Sequence, residues 1–195
     1  MEKIDFLMAG VGGQGTILAS NILAEVGLEL GYDVKKAEVH GMAQRGGTVE
    51  SHIRWGDKVY APVAIQGDVD YLLGFEMLEA GRWPAFIKKD AVVIVNRYRI
   101  PPPSVNLGKA RYPREEELDS LLKSAASRVF WINATEKAKE LGNPAVIGVV
   151  MLGALSSLVG GEESAWLNVI KRMVPERFVD LNLKAFEAGR QIQLA

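Results

Sequence analysis

No cysteine occurs in the 195 residues of this chain. Disulfides, a thiolate nucleophile and a cysteine-ligated iron–sulfur cluster are therefore excluded. Histidine is nearly absent, since His40 and His52 are the only two, too few for a histidine-rich metal centre. An excess of either charge is missing too: 23 Lys+Arg stand against 24 Asp+Glu, for a net charge of −1. That balance gives no electrostatic reason to expect a nucleic-acid or membrane partner. A long hydrophobic run is also lacking. The start "MEKIDFLMAG" has no apolar signal core or small-residue cleavage site, so the chain reads as cytoplasmic. In "LGNPAVIGVVMLGALSSLVGG" the strongly apolar part runs only from Ala145 to Leu155. A span needs about 20 mostly apolar residues, so this segment reads as a buried core helix.

What is present is an alternation of apolar strands and amphipathic helices. Ile4 to Ala9 is a continuously apolar run of the kind found inside a parallel sheet. Leu18, Ala19, Ile22, Leu23, Val26 and Leu30 then recur with helical spacing up to a stop at Gly31. "YDVKKAEV" returns as a second strand. "TVESHIRW" alternates and reads as an antiparallel strand near a sheet edge, with Val49, Ser51, Ile53 and Trp55 on one face. On the opposite, polar face His52 is expected to be a solvated surface residue. "VDYLLGF", "AVVIVN" and "RVFWINA" are further strands, and the "EEE" at 115–117 opens a helix, where acids favour the dipole. The pattern predicts one Rossmann-like, doubly wound, mostly parallel α/β domain over 1–195, with an α/β core at 1–142 and C-terminal helices at 143–195. In "PERFVDLNLKAFEAGRQIQ", Phe178, Leu181, Ala185, Ala188 and Ile192 form one apolar stripe and Val179, Leu183 and Phe186 a second. This surface fits either core packing or an interface.

In a doubly wound sheet, ligands gather beyond the carboxyl ends of the strands. That places the Gly10–Gly15 loop, residues 38–47, Glu76, and Asn96 with Arg97 at the candidate site. Gly10, Gly12 and Gly15 have the G-x-G-x-x-G spacing of a dinucleotide fingerprint, with a helix amino terminus beyond them to receive a phosphate. Glu38, ending the second strand, sits where a ribose-binding acid belongs. The same glycines also serve a tight turn and close helix packing with no nucleotide at all. "EVHGMAQRGG" sets His40, Gln44 and Arg45 among glycines. There Arg45 could clamp a carboxylate or phosphate, the alternative being an ordinary surface loop. No further proton donor or hydride-site residue stands out to complete a freestanding NAD- or FAD-dependent oxidoreductase.

"GVGGQGTILASNILAE", "EVHGMAQRGGTVESHIR", "GFEMLEA", "GNPAVIGVVMLGAL" and "VDLNLKAFEAG" together resemble the gamma-type domain of the 2-oxoacid:ferredoxin oxidoreductases. The likeness is strongest to the branch acting on aryl 2-oxoacids such as indolepyruvate. It covers nearly the whole chain, and the "HGMAQRGG" element is far more specific than the glycine pattern. The resemblance implies a Rossmann-like subunit that holds no cofactor of its own. Its partner would be a larger, alpha-type catalytic subunit carrying thiamine diphosphate, magnesium and iron–sulfur clusters. The implied reaction is oxidative decarboxylation of the oxoacid, with coenzyme A taking the acyl group and ferredoxin the electrons. Pyruvate, ketoisovalerate and 2-oxoglutarate siblings share the glycine loop, so the branch rests on overall similarity. The resemblance further implies that Arg45, Gln44 and His40 face the partner's active site. It leaves open whether Gly10, Gly12, Gly13 and Gly15 contact an anion, coenzyme A, the partner or nothing. A pure scaffold with no part in the active site is the remaining reading.

Overall fold

The computed structural model describes residues 2–40 and 47–194, with the backbone only at His40. The first strand, β1 (Ile4–Val11), leads into helix α1 (Thr16–Glu29). Gly15 caps that helix in the left-handed region at φ 77°, which an L side chain rarely adopts. Beyond α1, Gly31 at φ 87° turns the chain into β2 (Asp33–His40). Then come β3 (Thr48–Gly56), β4 (Val69–Gly74), the single-turn α2 (Met77–Ala80) and β5 (Ile87–Asn96). A Pro-rich connection containing the turn α3 (Pro103–Asn106) leads to α4 (Glu115–Ala125) and β6 (Arg128–Ile132). Four helices complete the chain: α5 (Ala134–Glu140), α6 (Ile147–Val159), α7 (Glu163–Met173) and α8 (Val179–Arg190).

The strands form one six-stranded sheet in the order β2-β3-β1-β4-β5-β6. β4, β5 and β6 continue from β1 in parallel, whereas β3 runs antiparallel to both β1 and β2. The expected antiparallel strand is therefore one place in from the edge, and β2 is the edge. Side-chain alternation divides the core in two. Phe6, Met8, Ile53, Trp55, Leu73 and Ile94 face a layer built from α1 and α5–α8. Leu7, Ala9, Leu72, Val93 and Val95 face α2 and α4. Both faces are covered, which is why the parallel strands read as unbroken apolar runs. At α4 the acids do what the dipole argument expects. Glu117 accepts the Arg114 N–H at 2.8 Å, and its carboxyl is held down to about 2 by Arg111 and that N–H.

Helices α6–α8 pack into the same core as β1 and α1. The buried face of α8 is Asn182, Ala185, Phe186 and Gly189, so core packing accounts for Ala185 and Phe186. Gly189, which an apolar-stripe reading overlooks, determines how closely α8 approaches α6. A Cβ on Gly189 would lie 2.1 Å from the Val150 carbonyl oxygen, and one on Gly153 would lie 2.1 Å from that of Phe186. Backbone meets backbone at this crossing, and neither helix has a flexible side chain to move aside. Gly189→Ala should therefore destabilise the chain by about 2–3 kcal/mol through forced separation of α6 and α8. Urea denaturation measures it, and a loss under about 0.5 kcal/mol would show that the crossing yields freely.

Candidate functional site at the crest of the sheet

The carboxyl ends of β1, β4, β5 and β6 form a crest, and the strand order reverses between β1 and β4. An open α/β sheet binds its ligand in the crevice at such a reversal. Here the crevice is bridged. Phe75 donates its N–H to the Ala9 carbonyl at 2.8 Å, and a Cβ on Gly10 would lie 2.9 Å from the Phe75 Cβ. The Gln14 side chain, itself buried, spans the gap. Its Oε1 accepts the Val11 N–H at 2.7 Å, and its Nε2 donates to the Phe75 carbonyl at 3.0 Å. Gly10, expected only to allow the tight turn, is thus a close-approach glycine, and what approaches it is protein.

Two more of the loop's N–H donors are engaged. Gly12 N–H donates to the Gly47 carbonyl at 2.9 Å and Gln14 N–H to the Val11 carbonyl at 3.2 Å. On its outer side, Gly12, Gly13, Gly15, Thr16, Ile17 and Val49 line a depression of about 170 Å³. Sites for drug-sized ligands run from about 300 Å³ upward, and this depression is smaller. A larger hollow of about 340 Å³ lies at the opposite, amino ends of the strands, among Lys3, Asp70, Asp90 and Arg128, remote from the crest.

Glu38 is not placed for a ribose. Because β3 intervenes, β2 stands two strand spacings from β1, roughly 5 Å farther than a neighbouring strand. Glu38 instead accepts from Lys36 Nζ at 2.5 Å and from Ser20 Oγ of α1 at 3.0 Å. Glu76 and Asn96, expected at the crest, are there and fully buried. Glu76 caps α2 through Glu79 N–H at 2.9 Å, and it also accepts from Ile100 N–H and the Tyr112 hydroxyl. Burial and that carboxylate hold the Tyr112 phenol above its ordinary range. Asn96 donates to the Phe75 carbonyl at 3.1 Å and to Thr135 Oγ1 at 2.8 Å, and accepts the Thr135 N–H. Arg97 pairs with Glu115. These side chains brace the crest, and Gln14, Tyr112 and Thr135 were missed in the sequence. Only Gln14 carried a signal there, as a polar residue inside the glycine fingerprint.

Gln44, Arg45 and the His40 side chain lie outside the described residues. The flanks of their segment are defined: His40 at the end of β2 pairs with Val49, and Thr48 at the start of β3 pairs with Val11.

The expectation that His52 is solvated is overturned, because it is 2% exposed. Trp83 and Phe86, from the segment before β5, cover its ring at centroid distances of 6.3 and 6.2 Å. The alternating pattern misled because this face of β3 is covered by chain far away in sequence. Nδ1 accepts the Ala64 N–H at 3.3 Å, so the ring is held as the neutral imidazole. Burial, with Arg54 adding, depresses its pKa, while burial raises that of Glu50, 3.9 Å away.

Residues 5–192 match the family model described as pyruvate ferredoxin/flavodoxin oxidoreductase. Over 192 residues the chain is 40% identical to indolepyruvate oxidoreductase subunit IorB of Pyrococcus horikoshii, covering 97% of this chain and 95% of that one. Identity to the common gamma subunit of the pyruvate/ketoisovalerate oxidoreductases of Pyrococcus abyssi is 30%, over 80% of this chain and 78% of that one. Among solved structures, the gamma subunit of a keto/oxoacid ferredoxin oxidoreductase from Geobacter sulfurreducens superposes with a TM-score of 0.72 at 28% identity. It covers 97% of this chain and 95% of its own.

Two outcomes are expected. NAD, NADP and FAD should show no saturable binding in calorimetric titration, and a micromolar affinity lost in Gly12→Val would overturn the closed-crevice description. Between the ordinary value near pH ~6.5 and the depressed folded pKa, the unfolded chain binds a proton at His52 that the folded chain does not. Stability should therefore fall with pH there, by up to about 1.4 kcal/mol per unit from this group. That component should vanish in His52→Gln when denaturation is compared at pH 7.5 and 5.5. Equal pH slopes for the two proteins would contradict a buried neutral imidazole.

Proposed function

The chain belongs to the pyruvate ferredoxin/flavodoxin oxidoreductase family, and from that premise we propose that it is the cofactor-free subunit of an indolepyruvate-type 2-oxoacid:ferredoxin oxidoreductase. The observation that carries the reading is likeness over nearly the full length to an indolepyruvate oxidoreductase subunit, well above the likeness to the pyruvate/ketoisovalerate subunit. In this reading a larger subunit decarboxylates the aryl 2-oxoacid, coenzyme A receives the acyl group, and ferredoxin receives the electrons.

The residues of this chain do not fit the cofactors of that reaction. No cysteine exists to hold an iron–sulfur cluster. Among the described residues no group of three His, Asp or Glu is disposed to hold a metal ion, such as the magnesium that accompanies thiamine diphosphate. In the proposed complex, thiamine diphosphate, magnesium and the clusters are held by the larger subunit, and this chain alone is inactive. It works in the cytoplasm as part of that complex. Among its described residues no helix is long and apolar enough to cross a membrane.

The part left to this chain is to dock its crest against the catalytic subunit and complete or cover the active site. The braced crest supports that role, since a surface already fixed by its own hydrogen bonds loses little freedom on docking. Gly10, Gly12, Gly13 and Gly15 form the rigid floor, and the 38–47 segment is the part that completes or covers the site. Arg45, with Gln44 and His40 as neighbouring polar groups, is the residue assigned to contact an oxoacid carboxylate or a coenzyme A phosphate. A guanidinium offers the planar pair of donors such an oxyanion takes.

The test is co-expression with the larger subunit and assay of aryl-2-oxoacid- and coenzyme A-dependent dye reduction. The wild-type complex should be active, and a complex reducing dye only with pyruvate or 2-oxoglutarate would reject the indolepyruvate assignment. Arg45→Ala should assemble normally yet turn over about ten- to a hundredfold more slowly, the equivalent of losing a charge-assisted hydrogen bond of about 1.5–3 kcal/mol. Arg45→Lys should recover only part of the loss. Unchanged kinetics in Arg45→Ala would reduce the loop to a connector.

A further inference from the structure

Among the described residues, the buried Gln14 side chain links the two halves of the sheet at the crest, and the function proposed above does not say what that link does for turnover. Gln14 leaves the glycine loop downward, with Oε1 2.7 Å from the Val11 nitrogen and Nε2 3.0 Å from the Phe75 carbonyl. Phe75 receives a second hydrogen bond, from Asn96 at 3.1 Å, and Asn96 in turn holds Thr135 at the start of α5. One continuous polar seam thus runs from the end of β1, across the reversal of strand order, to the ends of β5 and β6. At its other end stands Gly12, adjacent to Val11, with its N–H on the Gly47 carbonyl at 2.9 Å.

We infer that Gln14 is a positioning residue for the assembled oxidoreductase. Its amide ties the glycine loop to β4, and so fixes Gly12 and, through it, Gly47 at the base of the β2–β3 connection. This rests on the reading that the crest faces the partner's active site. The chemistry fits an amide and few other groups. The bridge needs one acceptor for an amide N–H and one donor for a carbonyl, about three bonds from the backbone. Among side chains glutamine supplies both at that length without a charge. Leaving either backbone group unpaired in this buried position would favour a shifted loop. A displacement near 1 Å at a surface completing an active site lowers turnover strongly while leaving substrate binding by the other subunit intact.

Two substitutions separate bridging from space filling in the co-expressed complex. Gln14→Met keeps the volume and removes both hydrogen bonds. Gln14→Asn keeps the amide but is one methylene too short to reach both partners. Both complexes should co-purify at full stoichiometry, with kcat for the aryl 2-oxoacid lowered about tenfold and KM within about twofold of wild type. Hydrogen exchange by NMR or mass spectrometry should show the Gly12 amide losing at least about tenfold protection, with Ile53 in the middle of β3 unchanged. Wild-type kcat and wild-type Gly12 protection in Gln14→Met would overturn the inference, because the side chain would then only fill space. A wild-type complex inactive on every aryl 2-oxoacid would instead count against the proposed function. In that event the exchange measurement alone decides whether Gln14 holds Gly12.

Discussion

Strand β3 lies antiparallel between β1 and β2, and the arrangement of the crest depends on that insertion. A β–α–β unit returning directly beside its first strand would put the end of β2, and any acid on it, next to the glycine loop. With β3 interposed, Glu38 is carried to the sheet edge, where it pairs with Lys36 and Ser20. The neighbour of β1 is now the strand that begins at Thr48, so Gly47 comes within hydrogen-bond distance of Gly12. The glycine loop and the acid that would bind a ribose are thereby separated, and Gly12 of the loop is tied to Gly47.

The crevice at the reversal of strand order is closed by the same logic. Gly10 admits Phe75, Gln14 bridges Val11 to Phe75, and Asn96 continues the seam to Thr135. Each group is buried and satisfied, and buried polar networks with every member paired are rigid. The opposite end of the sheet is tied differently, by ions. Asp5, fully buried, is held at two points by Arg54 at 2.9 and 3.1 Å and by Lys3 at 2.9 Å. Both ends of β1 are thus fixed to β3 and β4. A crest held in this way suits docking against a second surface better than enclosing a mobile cofactor.

Much of this architecture could be read in the sequence. The apolar runs of β1, β4 and β5 declare a sheet buried on both faces, and the helical spacing from Leu18 to Leu30 declares the crossover. The antiparallel character of β3 was legible from its alternation. Its position was not, because strand order is decided by contacts remote in sequence. The same remoteness hid the burial of His52 under Trp83 and Phe86, and the close crossing of Gly153 with Gly189. At the candidate site the glycine spacing assigned the turn to Gly10 and the close approach to Gly12, whereas the close approach seen is that of Phe75 to Gly10; spacing alone carries no information about what approaches. Gln14 could be seen as an unusual polar residue inside the motif, but its partner Phe75 is 61 residues away.

The central claim is that the crest, and not another face, meets the catalytic subunit. Hydrogen exchange of this chain, free and in the co-expressed complex, tests it most directly. The account predicts slowed exchange on complex formation at Gly12 to Ile17 and at Gly47 to Thr48, with no change around Lys58 to Gly67 or at Asp90 near the amino ends of the strands. Protection confined to those amino-end segments, with the glycine loop exchanging as in the free chain, would contradict it.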